Sequence, residues 1–108
     1  MNNITIYYLK ENVEFEIVDD IVYIISRQNH LIQKFMRKIK IRIPEISKLE
    51  LDAYGSFVFL QIDGKNTIDD IANNLDKKYH EEVHPLYERL IPFLDYLHDN
   101  LKIIEIKE

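Results

Sequence analysis

The sequence has no cysteine and no tryptophan, and only two glycines and three prolines among its 108 residues. Without cysteine there can be no disulfide, iron–sulfur cluster, thiolate zinc site or cysteine nucleophile. With Gly55 and Gly64 as the only glycines, no glycine-rich phosphate loop can be built, which argues against nucleotide hydrolysis. No apolar run approaches the roughly 20 residues that cross a bilayer, and Met1 to Lys10 lacks the basic start and small-residue cleavage site of a secretory signal. The expectation is a soluble, cytoplasmic chain with no membrane partner. Basic charge is also short: 14 Lys plus Arg face 19 Asp plus Glu, a formal net charge of −5. A field of that sign disfavours counterion-releasing contacts to phosphates, so nucleic acid is not an expected partner.

What remains is ordinary for a folded protein. A 46% hydrophobic and 31% charged composition supplies enough apolar surface to offset the entropy of ordering, over a length suited to one domain. Val13, Phe15 and Ile17 alternate with Glu14 and Glu16, the period of a strand with one buried face. Asp19-Asp20 interrupts the pattern, and Ile21 to Ile25 returns as the second strand of a hairpin. Ile4, Ile6 and Tyr8 also alternate, and mark either a strand or a loosely held terminus. Leu31, Ile32, Phe35 and Met36 have the spacing of a short amphipathic helix whose other side, with Lys34, Arg37 and Lys38, is basic. That side reads as a solvated face or as a patch for an acidic partner. Ile39 to Ile43 and Ile46 to Leu51 read as extended segments, with Pro44 at a turn or strand edge.

The second half reads as helical. Asp52 can cap a helix through Phe57, Val58, Phe59, Leu60 and Ile62, apolar on nearly every side and therefore central, with Gly55 explained by close packing. Asp63-Gly64 should end it through a left-handed glycine. Thr67-Ile68-Asp69-Asp70 has the form of a capping box and opens a helix with the stripe Ile68, Ile71, Ala72, Leu75 and Tyr79. Pro85 should open a third helix along Leu86, Leu90, Phe93, Leu94 and Leu97, kinked between Glu88 and Pro92. Asn100 is placed as its left-handed cap, before a short strand or packed tail at Ile103 to Ile106. The fold class is α+β: an antiparallel three-stranded sheet followed by a three-helix bundle, in a winged helix-turn-helix-like arrangement. It forms one domain over 1–108, with a hairpin and basic helix in 1–40 and the core in 41–106.

Candidate chemistry is sparse. His80-Glu81-Glu82-Val83-His84 matches H-E-x-x-H, in which a helix presents two histidines to zinc and the glutamate acts as base. Pro85 pushes His84 away from helical angles, so the spacing falls on a loop. Neither His30 nor His98 stands in a recognisable ligand motif. Ser26, Ser47 and Ser56 have no evident nucleophilic relay, and Asp63, Asp69 and Asp70 suit turns and caps. No catalytic residue, metal site or cofactor is expected, and the chain reads as a non-enzyme. The winged-helix arrangement raises a DNA-binding regulator as the alternative. Its third helix, however, would offer Glu88, Arg89, Asp95, His98 and Asp99, a poor set for phosphates and base edges.

The run Leu49-Glu50-Leu51-Asp52-Ala53-Tyr54-Gly55-Ser56-Phe57-Val58-Phe59, followed by Ile62-Asp63-Gly64-Lys65-Asn66-Thr67-Ile68, resembles the PqqD family. Pro85-Leu86-Tyr87-Glu88-Arg89-Leu90 and Phe93-Leu94 resemble that family's third helix, so the likeness covers roughly 41–104. The resemblance implies a small, non-enzymatic peptide chaperone, or RiPP recognition element. Such a protein binds the leader of a precursor peptide and presents it to a modifying enzyme, often a radical SAM protein. It further implies that the leader adds as a strand to a sheet edge and packs against the third helix. On this chain the edge would be Ser47, Lys48, Leu49, Glu50 and Leu51, and the groove wall Tyr87, Leu90, Ile91, Phe93, Leu94 and Leu97. Arg89 and Lys48 would pair with an acidic leader residue. An unpaired edge also permits pairing with a second copy in a homodimer. Two positions depart from the pattern: Phe59 stands where many relatives carry tryptophan, and Pro92 interrupts the third helix.

Overall fold

The computed structural model describes residues 4–27 and 46–108. In chain order they form β1 (Tyr7–Leu9), β2 (Glu14–Val18), β3 (Ile21–Arg27), β4 (Ile46–Glu50), α1 (Ala53–Phe59), α2 (Ile68–Tyr79), a 3-10 turn (His80–Val83), α3 (Leu86–Asp95), a wide π turn (Tyr96–Asn100) and β5 (Ile104–Ile106). The expected basic helix and the extended segment at 39–43 lie outside the described residues.

The expected hairpin forms, with Val18 paired to Ile21 across a two-residue turn. Asp19 and Asp20 both take positive φ, 51° and 66°, as the turn that matches strand twist requires. β4 completes an antiparallel sheet in the order β2-β3-β4. The register Phe15↔Ile24, Ile17↔Val22 and Ile24↔Leu49 puts these apolar residues on one face. Coverage of that face is uneven: Val22 and Ile24 on the central strand are buried, whereas Phe15, Ile17 and Leu49 on the outer strands are 37%, 50% and 37% exposed. Phe15 meets Phe59 of α1 edge-on, ring centroids 5.0 Å apart. The opposite face carries polar pairs: Lys48 Nζ lies 2.5 Å from Glu16 Oε1, and the Tyr23 hydroxyl donates to Glu50 Oε1 at 2.9 Å.

A separate two-stranded sheet pairs β1 with β5, Tyr7 opposite Ile106 and Leu9 opposite Ile104. The N-terminal segment is therefore a strand, but its buried member is Tyr7, while Tyr8 and Ile4 are exposed. Its backbone also receives the loop between α1 and α2: Gly64 N–H donates to the Tyr7 carbonyl and Ile68 N–H to the Thr5 carbonyl.

Asp52 caps α1 as expected, Oδ1 accepting the Gly55 N–H at 2.7 Å. The helix stops at Phe59 instead of reaching Ile62, because the next turns tighten to i−3 bonds, Gln61 N–H to Val58 O and Ile62 N–H to Phe59 O. It is also one-sided, with Gly55, Ser56, Val58 and Phe59 buried and Leu60 46% exposed. Gly64 takes φ +77°. Asp63 Oδ1 accepts the Lys65 and Asn66 N–H groups, and these bonds, that of Asn66 first, hold its carboxyl below the usual range. The capping box of α2 is complete, since Thr67 Oγ1 accepts from Asp70 N–H and Asp70 Oδ2 accepts from Thr67 N–H. The expected stripe is buried at Ile68, Ile71, Ala72 and Leu75, with Tyr79 packed at its margin.

Pro85 immediately precedes α3, which runs through Pro92 to Asp95 without a break. The backbone hydrogen bonding widens after it, at Tyr96–Asn100, where Leu101 N–H reaches back five residues to the Tyr96 carbonyl. That wide turn carries the chain past Asn100, so the left-handed residue ending it is Lys102, φ 56°. Among the described residues no helix is long and apolar enough to cross a membrane.

Candidate functional site

β4 is an edge strand among the described residues, with β3 on one side only. Leu51 N–H donates to the Val22 carbonyl, which fixes the phase of the ladder: Ser47, Leu49 and Leu51 turn their backbone groups toward β3, and Lys48 and Glu50 turn theirs outward. Side chains alternate as well. Lys48 and Glu50 share the polar face, while Leu49 is 37% exposed on the apolar face and Leu51 enters the core at 6%.

The strand leads directly into α1. At the Val22–Leu51 position the Ser56 hydroxyl, itself fully buried, accepts the Val22 N–H at 2.8 Å and donates toward the Leu51 carbonyl at 3.4 Å. Gly55 is set by α3: a Cβ there would lie 3.1 Å from Phe93 Cζ and 3.1 Å from Asp52 Oδ1. Close packing accounts for this glycine, as the sequence implied.

Where α1 and α3 meet, a cavity of about 190 Å³ opens, lined by Asp52, Tyr54, Gly55, Val58, Leu75, Val83, Arg89, Leu90 and Phe93. Its interior is buried and apolar at Val58, Leu75, Val83 and Leu90. Asp52 and Arg89 are exposed and so stand at its opening. Arg89 Nη1 donates to the Glu82 carbonyl at 2.7 Å, and the guanidinium lies 5.7 Å from the Tyr54 ring centroid. The Tyr54 hydroxyl donates to Glu82 Oε2, which raises the phenol pKa above its ordinary value. Tyr87, 38% exposed, donates to Asp69 Oδ1 at 2.7 Å with the same effect on its phenol.

The residues expected from sequence therefore divide. Ser47, Lys48 and Glu50 lie exposed on the edge strand, Leu49 at its apolar rim, and Tyr87 and Arg89 on the outer side of α3. Phe93 is half-buried, and Leu90 and Phe93 both line the cavity. Leu51, Leu94 and Leu97 are core residues, 6%, 1% and 0% exposed. Both cations already have partners, Lys48 on Glu16 and Arg89 on the Glu82 carbonyl. Sequence reading passed over Asp52 and Tyr54 as cavity residues, and over Leu75 and Val83 contributed from other elements. The one available signal was a glycine inside an otherwise apolar helix.

The H-E-x-x-H histidines do not share a helix face. His80 ends α2 with φ 55°, and His84 is extended and places Nε2 2.6 Å from Asp76 Oδ1. No group of three or more histidine or carboxylate side chains among the described residues is placed to hold a metal ion.

The family model for Coenzyme PQQ synthesis protein D (PqqD) matches residues 44–100, more than half of the chain. The chain belongs to the PqqD family. That match takes in β4, α1, α2, α3 and the wide turn, so the PqqD portion contains both the edge strand and the cavity. No curated protein and no solved structure matches the chain.

Proposed function

We propose that this chain, as a single PqqD-like domain, binds the leader of a ribosomally synthesised precursor peptide and presents the peptide to a modifying enzyme, with no catalysis of its own. A radical SAM protein is the kind of enzyme this reading pairs with it, and a winged-helix-like arrangement of sheet and helices is the frame. The observation that carries the reading is the outer edge of β4, which has no strand beside it among the described residues and lies inside the family match: Lys48 and Glu50 each turn an N–H and a C=O outward. An extended peptide can use those groups whatever its side chains, while apolar surface at Leu49 and Phe93 selects among them. The site residues are then Ser47, Lys48, Leu49 and Glu50 with Tyr87, Arg89, Leu90 and Phe93, and Leu51, Leu94 and Leu97 support them from the core.

The DNA-binding alternative is disfavoured by the exposed side of α3 and the turn after it, where Glu88, Asp95 and Asp99 outnumber Arg89. The test is a titration of isotopically labelled protein with synthetic leaders of short reading frames near its gene. Amide shifts centred on Ser47 to Leu51 and on α3 are expected. Their absence with every leader, or operator-like DNA binding at physiological salt, overturns the reading. Pairing of β4 with a second copy would instead appear as concentration-dependent shifts at the same amides.

A further inference from the structure

We infer that the corner between the Phe57 and Tyr79 rings is a docking site for a cationic side chain, arginine first, presented by a protein partner, and that Lys78 holds the place in the free chain. The corner lies where the C-terminal turn of α2 meets α1, and it does not depend on the edge-strand reading above. The two rings stand nearly perpendicular, at 89°, with centroids 5.8 Å apart. Tyr54 braces Tyr79 from the far side of the row, edge-on at 4.6 Å. An aromatic face carries negative potential, and a cation within about 6 Å of a ring centroid is attracted to it. Lys78 Nζ meets that condition twice, over both rings, 4.8 Å from the Phe57 centroid and 5.6 Å from that of Tyr79.

Lys78 is a weakly held occupant. No carboxylate among the described residues lies within ion-pair distance of it, and its exposed, four-carbon side chain gives up rotamer freedom to stay over the rings. Arg89, beside the Tyr54 ring at the other end of the row, is by contrast bonded to the Glu82 carbonyl. The surroundings favour a second cation from outside. The last carbonyls of α2 put partial negative charge at this end of the helix, and the exposed carboxylates of Glu81 and Glu82 follow in the 3-10 turn. Arginine suits the corner better than lysine, because a guanidinium is planar, lies flat on one ring and is less strongly hydrated than an ammonium. Two walls hold a free cation weakly, so the occupant is a side chain brought by a larger interface and not a small amine from solution.

The probe is N-acetyl-arginine N-methylamide, with the citrulline compound, similar in shape and uncharged, as control. Each is titrated at fixed ionic strength and followed on the ring signals of Phe57 and Tyr79 and on the Lys78 ε-methylene. In the free protein that methylene should resonate upfield of those of the other lysines, since its nitrogen sits over two ring faces. The arginine compound should return it toward the ordinary position and shift both rings, and the citrulline compound should do neither. Lys78→Ala, which vacates the corner, should tighten arginine binding about two- to fivefold, and Phe57→Leu, which removes a wall, should abolish the response at Tyr79. The two compounds are compared on unaltered protein, so they decide the matter even if a variant folds poorly. Equal response to citrulline, a Lys78 methylene at the ordinary position, or equal arginine shifts at the exposed tyrosines Tyr87 and Tyr96, which meet no second ring among the described residues, would each overturn the inference. Choline, run beside the arginine compound, tests for a small amine, and tighter binding of choline would overturn the assignment to a partner's side chain.

Discussion

The hydroxyl of Ser56 stands between Val22 and Leu51, taking the N–H of one at 2.8 Å and reaching the carbonyl of the other at 3.4 Å. In an uninterrupted ladder those two backbone groups would bond each other. Here the chain turns out of β4 into α1, and a helix side chain closes the gap, so sheet and helix are fixed to one another where the candidate edge strand ends.

Ser56→Ala should therefore destabilise the protein by about 1–3 kcal/mol, since it leaves the Val22 N–H buried without an acceptor. Threonine restores a hydroxyl at the cost of an added methyl in a fully buried site. Denaturant unfolding checks the order wild type, then threonine, then alanine. An alanine variant as stable as wild type would mean that the Val22 N–H finds another partner.

Gly55 and Phe93 should be energetically coupled. Alanine at Gly55 gains helix propensity of up to about 1 kcal/mol, but its Cβ would come within 3.1 Å of the Phe93 ring. The gain should be cancelled with Phe93 present and partly recovered in a Phe93→Leu background, where the 3.1 Å approach to Asp52 Oδ1 remains. A double-mutant cycle should then give a coupling of about 0.5–1 kcal/mol. Strict additivity would show that the ring moves aside freely.

Much of this was readable from sequence because it is local. The Asp52 cap, the Thr67–Asp70 box and the left-handed Gly64 each depend on residues within one turn of one another. The β2–β3 hairpin depends only on alternation and a short connection. Pairings across the chain were not readable in the same way. Tyr7 is buried because β1 meets β5 at the other end of the sequence, and three-residue strands carry too little pattern to announce that. The end of α1 was misplaced because Leu60 and Ile62 extend an apolar run that the backbone does not follow as helix. At the candidate site, the family resemblance pointed to the Ser47 to Leu51 edge and alternation put Lys48 and Glu50 on one face of it, whereas the cavity draws Leu75, Val83 and Leu90 from three separate elements, and no spacing in the sequence brings those together.

The hairpin turn can be improved. Asp19 and Asp20 both occupy left-handed backbone, a conformation that costs most residues about 1–2 kcal/mol and Asp somewhat less. They also supply two adjacent negative charges in a chain whose net charge is −5. Asp19→Asn with Asp20→Gly supplies the pair that this turn favours, and should raise stability by about 0.5–1 kcal/mol. Thermal unfolding reads the gain, and a lower midpoint would argue against a two-residue turn with both residues left-handed.

Alkaline pH should loosen a set of tyrosine contacts. Tyr8, Tyr23, Tyr54 and Tyr87 each donate to a carboxylate, and those bonds raise all four phenols above the ordinary value of 10.0. Since the folded-state pKa is the higher one, the contribution to stability is fully present below pH 10.0 and is lost as pH rises through the raised values. A phenolate absorbance titration should show several tyrosines ionising late, and Tyr54→Phe should remove one from the late group. A single transition at the ordinary tyrosine pH would mean that these bonds are not kept in solution.

Hydrogen exchange should display the two-residue period of β4 and what covers it. The Leu49 and Leu51 amides point toward β3, and that of Leu51 is bonded to the Val22 carbonyl at 3.0 Å. They should exchange slowly. The Lys48 and Glu50 amides face outward from an edge strand and should exchange quickly in the free protein. A leader that adds as a strand must bond those two groups, so on binding their protection should rise and the alternation should flatten. The peptide should show the same period, with N-methylation weakening binding about tenfold or more at every second residue and little at those between. Protection rising on α3 alone, with Lys48 and Glu50 still fast, would place the peptide on the helix face and away from the sheet edge.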